Sequence, residues 1–372
     1  MPRTGVIVLA IAAVSLALLA TACSRRETVQ DPPPEIQNPP LPVEVDDLRD
    51  TAVTRFAGLS PAAIEALRSL KKLDPYPLYM MSIEGDPVSA GGISSDLAWG
   101  CSLFAALAAD APRLLGRNFD WEFSPALLLF HTPSDGYSSV AMVDIAYLVS
   151  PEDVDRLLDL PLERRVPLLG ATRFPFDGMN QNGLAIGLAA VPATEMPFNP
   201  ALRTVGSLGA MREVLDHAST VAEALEILHA INIDMSGGPS VHYLIADAAG
   251  DAALVEFYDG RVVIEDNEEA WHVATNFLRC AAGGDASGIC ERYDRLWAAL
   301  SDREGRLTVD EAFVLLSDVA QPARTQWSAV YHLSDRAVSV RMGDGSAEPY
   351  RFDLETVETD SARADGEREE PT

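Results

Sequence analysis

The period of the apolar positions changes several times along the chain, and each change marks an element. Over 60–72, Ile64, Leu67 and Leu70 fall on one helical face and Pro61 suits a first turn, so the pattern predicts a helix. An extended segment over 77–84 follows. Residues 140–148 (VAMVDIAYL) are apolar with one acid and predict a strand. Residues 183–191 (GLAIGLAAV) predict another, introduced by the turn-forming run 176–180 (FDGMN). Over 205–233 the spacing is helical again and reads as two helices. Thr220 and Glu223 form a capping box for the second, whose apolar face carries Ala224, Leu225, Leu228 and Ile231.

Strand spacing returns over 241–247, 252–258 and 261–265, divided by the turns AAGD and DG, which is the pattern of an antiparallel meander. A helix over 292–300 and strands over 328–333 and 337–341 complete the reading. Helices bracketing antiparallel strands predict an α+β fold in layers rather than a doubly wound parallel sheet. The chain carries no glycine-rich phosphate loop, internal repeat or coiled-coil heptad.

The two ends have a different composition. Arg3, the apolar run 6–20 broken only by Ser15, and Leu19-Ala20-Thr21-Ala22-Cys23 read as an export signal over 1–22. The run is short for a membrane span. A cysteine directly after such a site resembles the bacterial lipobox, which implies cleavage before Cys23 and a lipid on its thiol. The chain is then an exported lipoprotein held at the membrane, facing periplasm or cell exterior. A plain secretory signal with an incidental cysteine is the alternative. Residues 23–50, rich in proline and acid, read as a solvated spacer, and 355–372 as an acidic disordered tail. The segment 51–100 and the main domain 101–354 lie between them.

Charge excludes several partners. With 28 basic against 56 acidic side chains and a net charge of −28, the composition argues against nucleic acid as a partner and against docking on anionic lipid through a basic face. Its cysteines are four: Cys23, Cys101, Cys280 and Cys290. In an oxidising exterior Cys280 and Cys290 have the option of closing a disulfide, and two unrelated thiols are the other option. No Cys and His cluster has zinc spacing, and no metal or other cofactor is expected.

Cys101 is then an unpaired thiol outside the cell, a candidate nucleophile whose alternative is a small buried apolar residue. The apolar run 103–109 and Leu114-Leu115 look like two strands closing on the turn 110–113, which brings Arg117 back toward Cys101. A guanidinium beside the sulfur favours thiolate and lowers its pKa from about 8.5. Asp120 faces the same pocket or pairs with Arg117. If the bond between Gly100 and Cys101 is cut, the freed α-amine of Cys101, with a pKa of about 8, lies within reach of its own thiol and serves as the base.

Gly100-Cys101-Ser102 with Gly116-Arg117-Asn118-Phe119-Asp120-Trp121 resembles the linear amide C–N hydrolases of the N-terminal nucleophile superfamily. The likeness is to the isopenicillin N acyltransferase-like branch, and more distantly to choloylglycine hydrolases and penicillin V acylases. Pro77-Leu78-Tyr79, the segment 125–137, Gly178-Met179-Asn180-Gln181-Asn182-Gly183-Leu184, His242-Tyr243-Leu244-Ile245-Ala246-Asp247, Thr275-Asn276, Arg292-Tyr293 and 326–331 continue the series in order. The resemblance implies a four-layer αββα sandwich with antiparallel sheets. It implies Cys101 as nucleophile, Arg117 and Asp120 to tune the thiol and orient the α-amine, Asn276 for an oxyanion hole, and Arg292 as a supporting arginine. Ala190 stands near the position where choloylglycine hydrolases carry a further asparagine. Asn118 and Asn180 are read as turn-shaping residues.

The resemblance further implies self-cleavage into an α chain ending at Gly100 and a β chain beginning at Cys101, the two held together. The implied reaction is hydrolysis of a small N-acyl amide through a thioester on Cys101, or acyl transfer from that thioester to an amine. Two rivals stand beside it. One is a cysteine protease using His272, four residues before Asn276, as base. The other is a lipid-anchored binding protein whose Cys101 is merely buried. The segments 125–137 and 190–200 are read as apolar loops that line an acyl pocket.

Overall fold

The computed structural model describes residues 59–74, 78–86, 100–283, 285–343 and 348–354. The signal 1–22, Cys23 with the spacer 23–50, and the tail 355–372 lie outside the described residues. Among the described residues no helix is long and apolar enough to cross a membrane.

Two sheets carry the fold. The larger runs in the order β1 (Lys71–Asp74), β2 (Leu78–Glu84), β5 (Ala126–Thr132), β6 (Ser139–Asp144), β7 (Asp177–Asn180), β8 (Ala185–Ala190), β11 (Val241–Ala246), β12 (Ala252–Tyr258), β13 (Arg261–Asp266). The smaller runs β14 (Trp271–Ala274), β3 (Gly100–Ala106), β4 (Leu114–Asp120), β15 (Thr325–His332), β16 (Ala337–Met342), β17 (Tyr350–Asp353). Neighbours are antiparallel apart from β2 and β5, which run parallel. A small parallel pair, β9 (Thr204–Gly206) and β10 (Asn232–Asp234), stands apart from both sheets.

The helices are α1 (Pro61–Ser69), the one-turn α2 (Pro151–Val154) and α3 (Leu162–Arg165), then α4 (Ser207–His217), α5 (Val221–His229), α6 (Glu291–Asp302) and α7 (Val309–Asp318). Apolar side chains of α6 and α7, among them Leu296, Leu300 and Leu316, pack on Phe104, Ala106 and Leu114, the outer face of the smaller sheet. On the outer face of the larger sheet, Leu67 of α1 meets Tyr79 and Leu127, and Tyr243 donates its hydroxyl to Ser207 O of α4 at 2.9 Å. The inner faces meet each other. A Cβ on Gly187 of β8 would lie 2.6 Å from Leu103 Cδ2 of β3, so the missing side chain is what lets the layers close there. This is the αββα layering that the motifs implied. It also explains why 140–143 and 183–191 are unbroken apolar runs: strands covered on both sides have no polar face to show.

Several elements differ from the pattern-based reading. The helix of 60–72 ends at Ser69, where Ser60 caps its start by accepting Ala63 N–H at 3.1 Å, and Lys71–Asp74 leaves it as a strand. The strand of 140–148 stops at Asp144, whose carboxylate accepts Ala146 N–H at 2.9 Å and starts a 3₁₀ turn. The run 176–180 is strand β7 rather than a turn, because its partners β6 and β8 supply a ladder on both sides. The segment 125–137 contains the buried central strand β5, so it is not a free pocket loop. Thr220 caps α5 through Glu223 N–H, but the Glu223 carboxylate returns to Ser219 N–H at 2.7 Å. A complete capping box occurs at Thr308 and Glu311 of α7, a helix the apolar pattern had not marked.

Candidate active site

The hairpin of β3 and β4 forms as the sequence predicts, and its register sorts the site residues. Cys101 pairs with Phe119 and Leu103 with Arg117, so these four share the inner face. Gly100 pairs with Asp120 and Ser102 with Asn118, and these share the outer face. A side chain at Gly100 would crowd its neighbours. A Cβ there would lie 2.6 Å from Gln321 Nε2 and 3.1 Å from Asp120 Cβ.

On the inner face, Arg117 Nη2 donates to Cys101 Sγ at 3.3 Å. The same guanidinium donates through Nη1 to Phe176 O at 2.6 Å and to Asp177 Oδ2. Its plane lies 4.8 Å from the Phe119 ring, which is stacked on Trp327 with centroids 4.0 Å apart. Trp327 Nε1 donates to Asp177 Oδ2 at 3.3 Å, and the Tyr331 hydroxyl to Asp177 Oδ1. Burial pushes the Cys101 thiol up from its ordinary value, Arg117 opposes that rise and Asp120 adds to it. This corrects the expectation of a lowered thiol pKa. The sulfur is fully buried, and the guanidinium that faces it is paired with Asp177. Asp177 is a site residue that sequence reasoning missed, since it lies sixty residues from Arg117 in a run read as a turn.

On the outer face the contacts go to backbone. Cys101 N–H donates to Asn276 Oδ1 at 2.8 Å, and Arg292 Nη2 donates to the same oxygen at 2.8 Å. Arg292 Nη1 reaches Cys101 O and, at 2.8 Å, Ser102 Oγ. Asn276 Nδ2 donates to Ala190 O at 2.8 Å. The amide cannot be turned round, because its NH₂ would then face two donors and its oxygen a carbonyl. The side chain that the resemblance assigns to an oxyanion hole therefore holds the Cys101 nitrogen here, with its donor engaged by the backbone. Asp120 lies across β4 from the sulfur. It accepts from Thr325 Oγ1 and from Gln321 Nε2 at 2.8 Å, and pairs with Arg292 at 3.6 Å. Burial raises its carboxyl from the ordinary value, against those donors.

The remaining candidates lie apart from the thiol. Both nitrogens of His272 are occupied: Nε2 donates to Glu265 O at 3.0 Å and Nδ1 accepts Val273 N–H at 3.0 Å. Burial pushes that ring down to about 4. Cys280 and Cys290 are both unbonded, so the structure takes the two-thiol option over the disulfide. Burial, with Glu256 beside it, pushes the Cys280 thiol up to about 12. Asn118 and Asn180 hold loops and neighbouring elements, the latter through Leu215 O at 3.0 Å and Ala218 O at 2.6 Å. Among the described residues no group of three His, Cys, Asp or Glu side chains is placed to hold a metal ion.

The sandwich of two sheets between helical layers thus holds a Gly-Cys step at the start of β3, with Arg117 of β4 on the sulfur and Arg292 of α6 on the carbonyl. Residues 175–346 match the family described as acyl-coenzyme A:6-aminopenicillanic acid acyl-transferase. That span contains Asn276 and Arg292 and excludes Cys101, Arg117 and Asp120. No curated protein matches the chain. Among solved structures, a mutant conjugated bile acid hydrolase from Clostridium perfringens is similar, at 15% identity over 69% of this chain and 93% of that chain, with a TM-score of 0.51. Penicillin V acylase from Agrobacterium tumefaciens is similar at 18% identity over 68% and 85%, with a TM-score of 0.46. The likeness to the bile acid hydrolase shows the fold. The family match agrees with the acyltransferase-like resemblance carried by the motifs.

Proposed function

We propose that the protein is a cysteine N-terminal nucleophile hydrolase that cuts its own Gly100–Cys101 bond and then cleaves the amide of a small N-acyl substrate. The observation that carries this reading is the double hold on Cys101. Its sulfur lies on Arg117 at 3.3 Å and its nitrogen on Asn276 Oδ1 at 2.8 Å. A cut before Cys101 turns that held nitrogen into an α-amine fixed beside its own thiol, which is what an internal base requires. The amine takes the thiol proton, sulfur attacks the amide carbonyl, and the proton passes to the departing nitrogen. Water then releases the acyl group from sulfur. Asn276 Nδ2 exchanges Ala190 O for the developing oxyanion, and Arg292 keeps the amide and the Cys101 carbonyl in place.

In this reading the α chain ends at Gly100, and only it carries the lipid on Cys23, so packing of α1, β1 and β2 keeps the catalytic chain at the membrane. The test is intact mass with N-terminal sequencing of purified protein, alongside hydrolysis of a panel of N-acyl amides. A fragment beginning at Cys101 and thiol-dependent release of acid support the proposal. Turnover by an uncut chain removes it.

The family match favours a second reading, transfer of the acyl group from sulfur to an amine. Amide product formed at the expense of free acid on adding small amines selects it.

A further inference from the structure

Arg117 has two neighbours with opposite demands. Its Nη2 reaches Cys101 Sγ at 3.3 Å, while its Nη1 is held by Asp177 and by Phe176 O at 2.6 Å. Asp177 is fixed in turn by Trp327 Nε1 at 3.3 Å and by the Tyr331 hydroxyl. Arg117, Asp177, Trp327 and Tyr331 are all 0% exposed. Charges sealed from water act on each other with little screening. A guanidinium with a carboxylate on one nitrogen therefore presents a partly cancelled charge on the other.

The groups facing the thiol can be named element by element. From β4 come Arg117 on the inner face and Asp120 on the outer, and from α6 comes Arg292 at the Cys101 carbonyl. The larger sheet contributes Asp177 from β7, behind Arg117, and β15 contributes Tyr331 through Asp177. Asp177 is thus the one side chain of the larger sheet that reaches Arg117 with a charge among the contacts described.

We infer that Asp177 is a positioning residue that acts through Arg117, aiming Nη2 at Cys101 Sγ and withholding enough positive charge that the sulfur keeps its proton until the α-amine removes it. The inference rests on the reading that Cys101 is the reacting group. It gives the α-amine a task. Were the guanidinium uncompensated, a standing thiolate would form beside it, and a more acidic thiol is a weaker nucleophile in its ionised form. With Asp177 in place the proton moves from Sγ to the amine nitrogen only as attack begins. A purely structural Asp177, tying β7 to β4 and β15, predicts no such control.

The two roles separate in the ultraviolet titration of the Cys101 thiolate in the full chain, each variant referenced to the same variant carrying Cys101→Ser. Asp177→Asn keeps an acceptor for Tyr331 and removes the charge, so the titration midpoint falls by about one pH unit or more. Tyr331→Phe loosens the cage with its charges kept and moves the midpoint by less than about half of that. A midpoint that stays or rises in Asp177→Asn overturns the inference. If Asp177→Asn does not yield folded protein, Arg117→Gln is compared with the Arg117→Gln/Asp177→Asn pair, which leaves neither member of the ion pair charged. Because Asp177 acts through Arg117, the pair's midpoint must then equal that of the single variant, and a pair midpoint well below it overturns the inference. The titration needs no turnover. Absent self-cleavage would therefore sink the proposed function and the task given to the α-amine but leave the control of the thiol by Asp177 through Arg117 standing, whereas an unmoved midpoint sinks the role of Asp177 alone.

Discussion

Arg117 and Arg292 approach the same residue from opposite faces of β3, and they do different work there. Arg117 is sealed between the sheets and touches the sulfur. The Arg292 side chain retains 21% exposure and touches the carbonyl of Cys101, the Ser102 hydroxyl and the Asn276 amide. Each has an acid, but Asp177 grips Arg117 inside the core while Asp120 stands 3.6 Å from Arg292. The inner face holds the guanidinium that touches the sulfur, and the outer face holds the backbone of Cys101 together with the acid, Asp120, that adds to the rise of the thiol. A strand position suits both tasks, because neighbouring residues on one strand point to opposite sides.

The largest effect breaks both faces at once. Cys101→Ala removes the proposed nucleophile, and the expected outcome is an uncut chain in intact mass with amide hydrolysis down by at least about three decades. Residual hydrolysis near the parent rate would move the chemistry away from this hairpin. The two arginines then separate. Arg117→Gln leaves Asp177 buried without its cation, so the acid limb of kcat/KM rises by about one pH unit or more and neutral-pH rates fall about 10- to 100-fold. Arg292→Gln lowers the rate by a similar factor of about 10 to 100 but raises that limb by less, about half a pH unit or under, since its charge acts on the sulfur from the carbonyl side without touching it. Equal limb shifts in the two variants would erase the division between the faces.

The hairpin was legible in the sequence because its parts are contiguous: an apolar run, the turn 110–113 and a second run fix a register that brings Arg117 to Cys101. Asn276 and Arg292 were legible only through motif order, as no local pattern links residues 175 or more positions from Cys101. Asp177 was hidden for a physical reason. FDGMN is rich in turn formers, and only the ladders from β6 and β8 make it a strand. The thiol's titration was misjudged in the same way, because proximity of Arg117 can be read from spacing, whereas burial of the sulfur and the competing Asp177 cannot. The amide of Asn276 follows this pattern, since its engagement with Ala190 O depends on how closely the two sheets approach.

Gly100 sharpens the outer face with a smaller effect. A methyl at that position meets the end of the flexible Gln321 side chain at 2.6 Å, which can shift, and Asp120 Cβ at 3.1 Å, which has less freedom. Gly100→Ala therefore displaces Gln321 from Asp120 and slows self-cleavage about 3- to 10-fold, read as the fraction of uncut chain over time. Once cut, the β chain is unaltered, so its kcat equals that of the parent. A lowered kcat in fully cut protein would show that Gly100 acts beyond the junction.

Asn118 gives the smallest effect on the chemistry and the sharpest control. It stands on the outer face of β4, next to Arg117 and two residues before Asp120, where proximity alone would make it part of the site. Its contacts say otherwise: Nδ2 donates to Leu316 O of α7 at 2.7 Å, and Oδ1 accepts from Ser328 Oγ of β15 at 2.7 Å. Both bonds are buried and both lead away from Cys101, into the helical layer and the neighbouring strand. Asn118→Ala strands a buried carbonyl and a hydroxyl, so it lowers unfolding stability by about 1–3 kcal/mol, measured by denaturant titration. The thiolate midpoint stays within about a third of a pH unit, because no charge near the sulfur changes. A shift as large as that of Arg117→Gln would mean that the field at the sulfur is set by how β4 is seated against α7, and the two faces of the hairpin would then be one device rather than two.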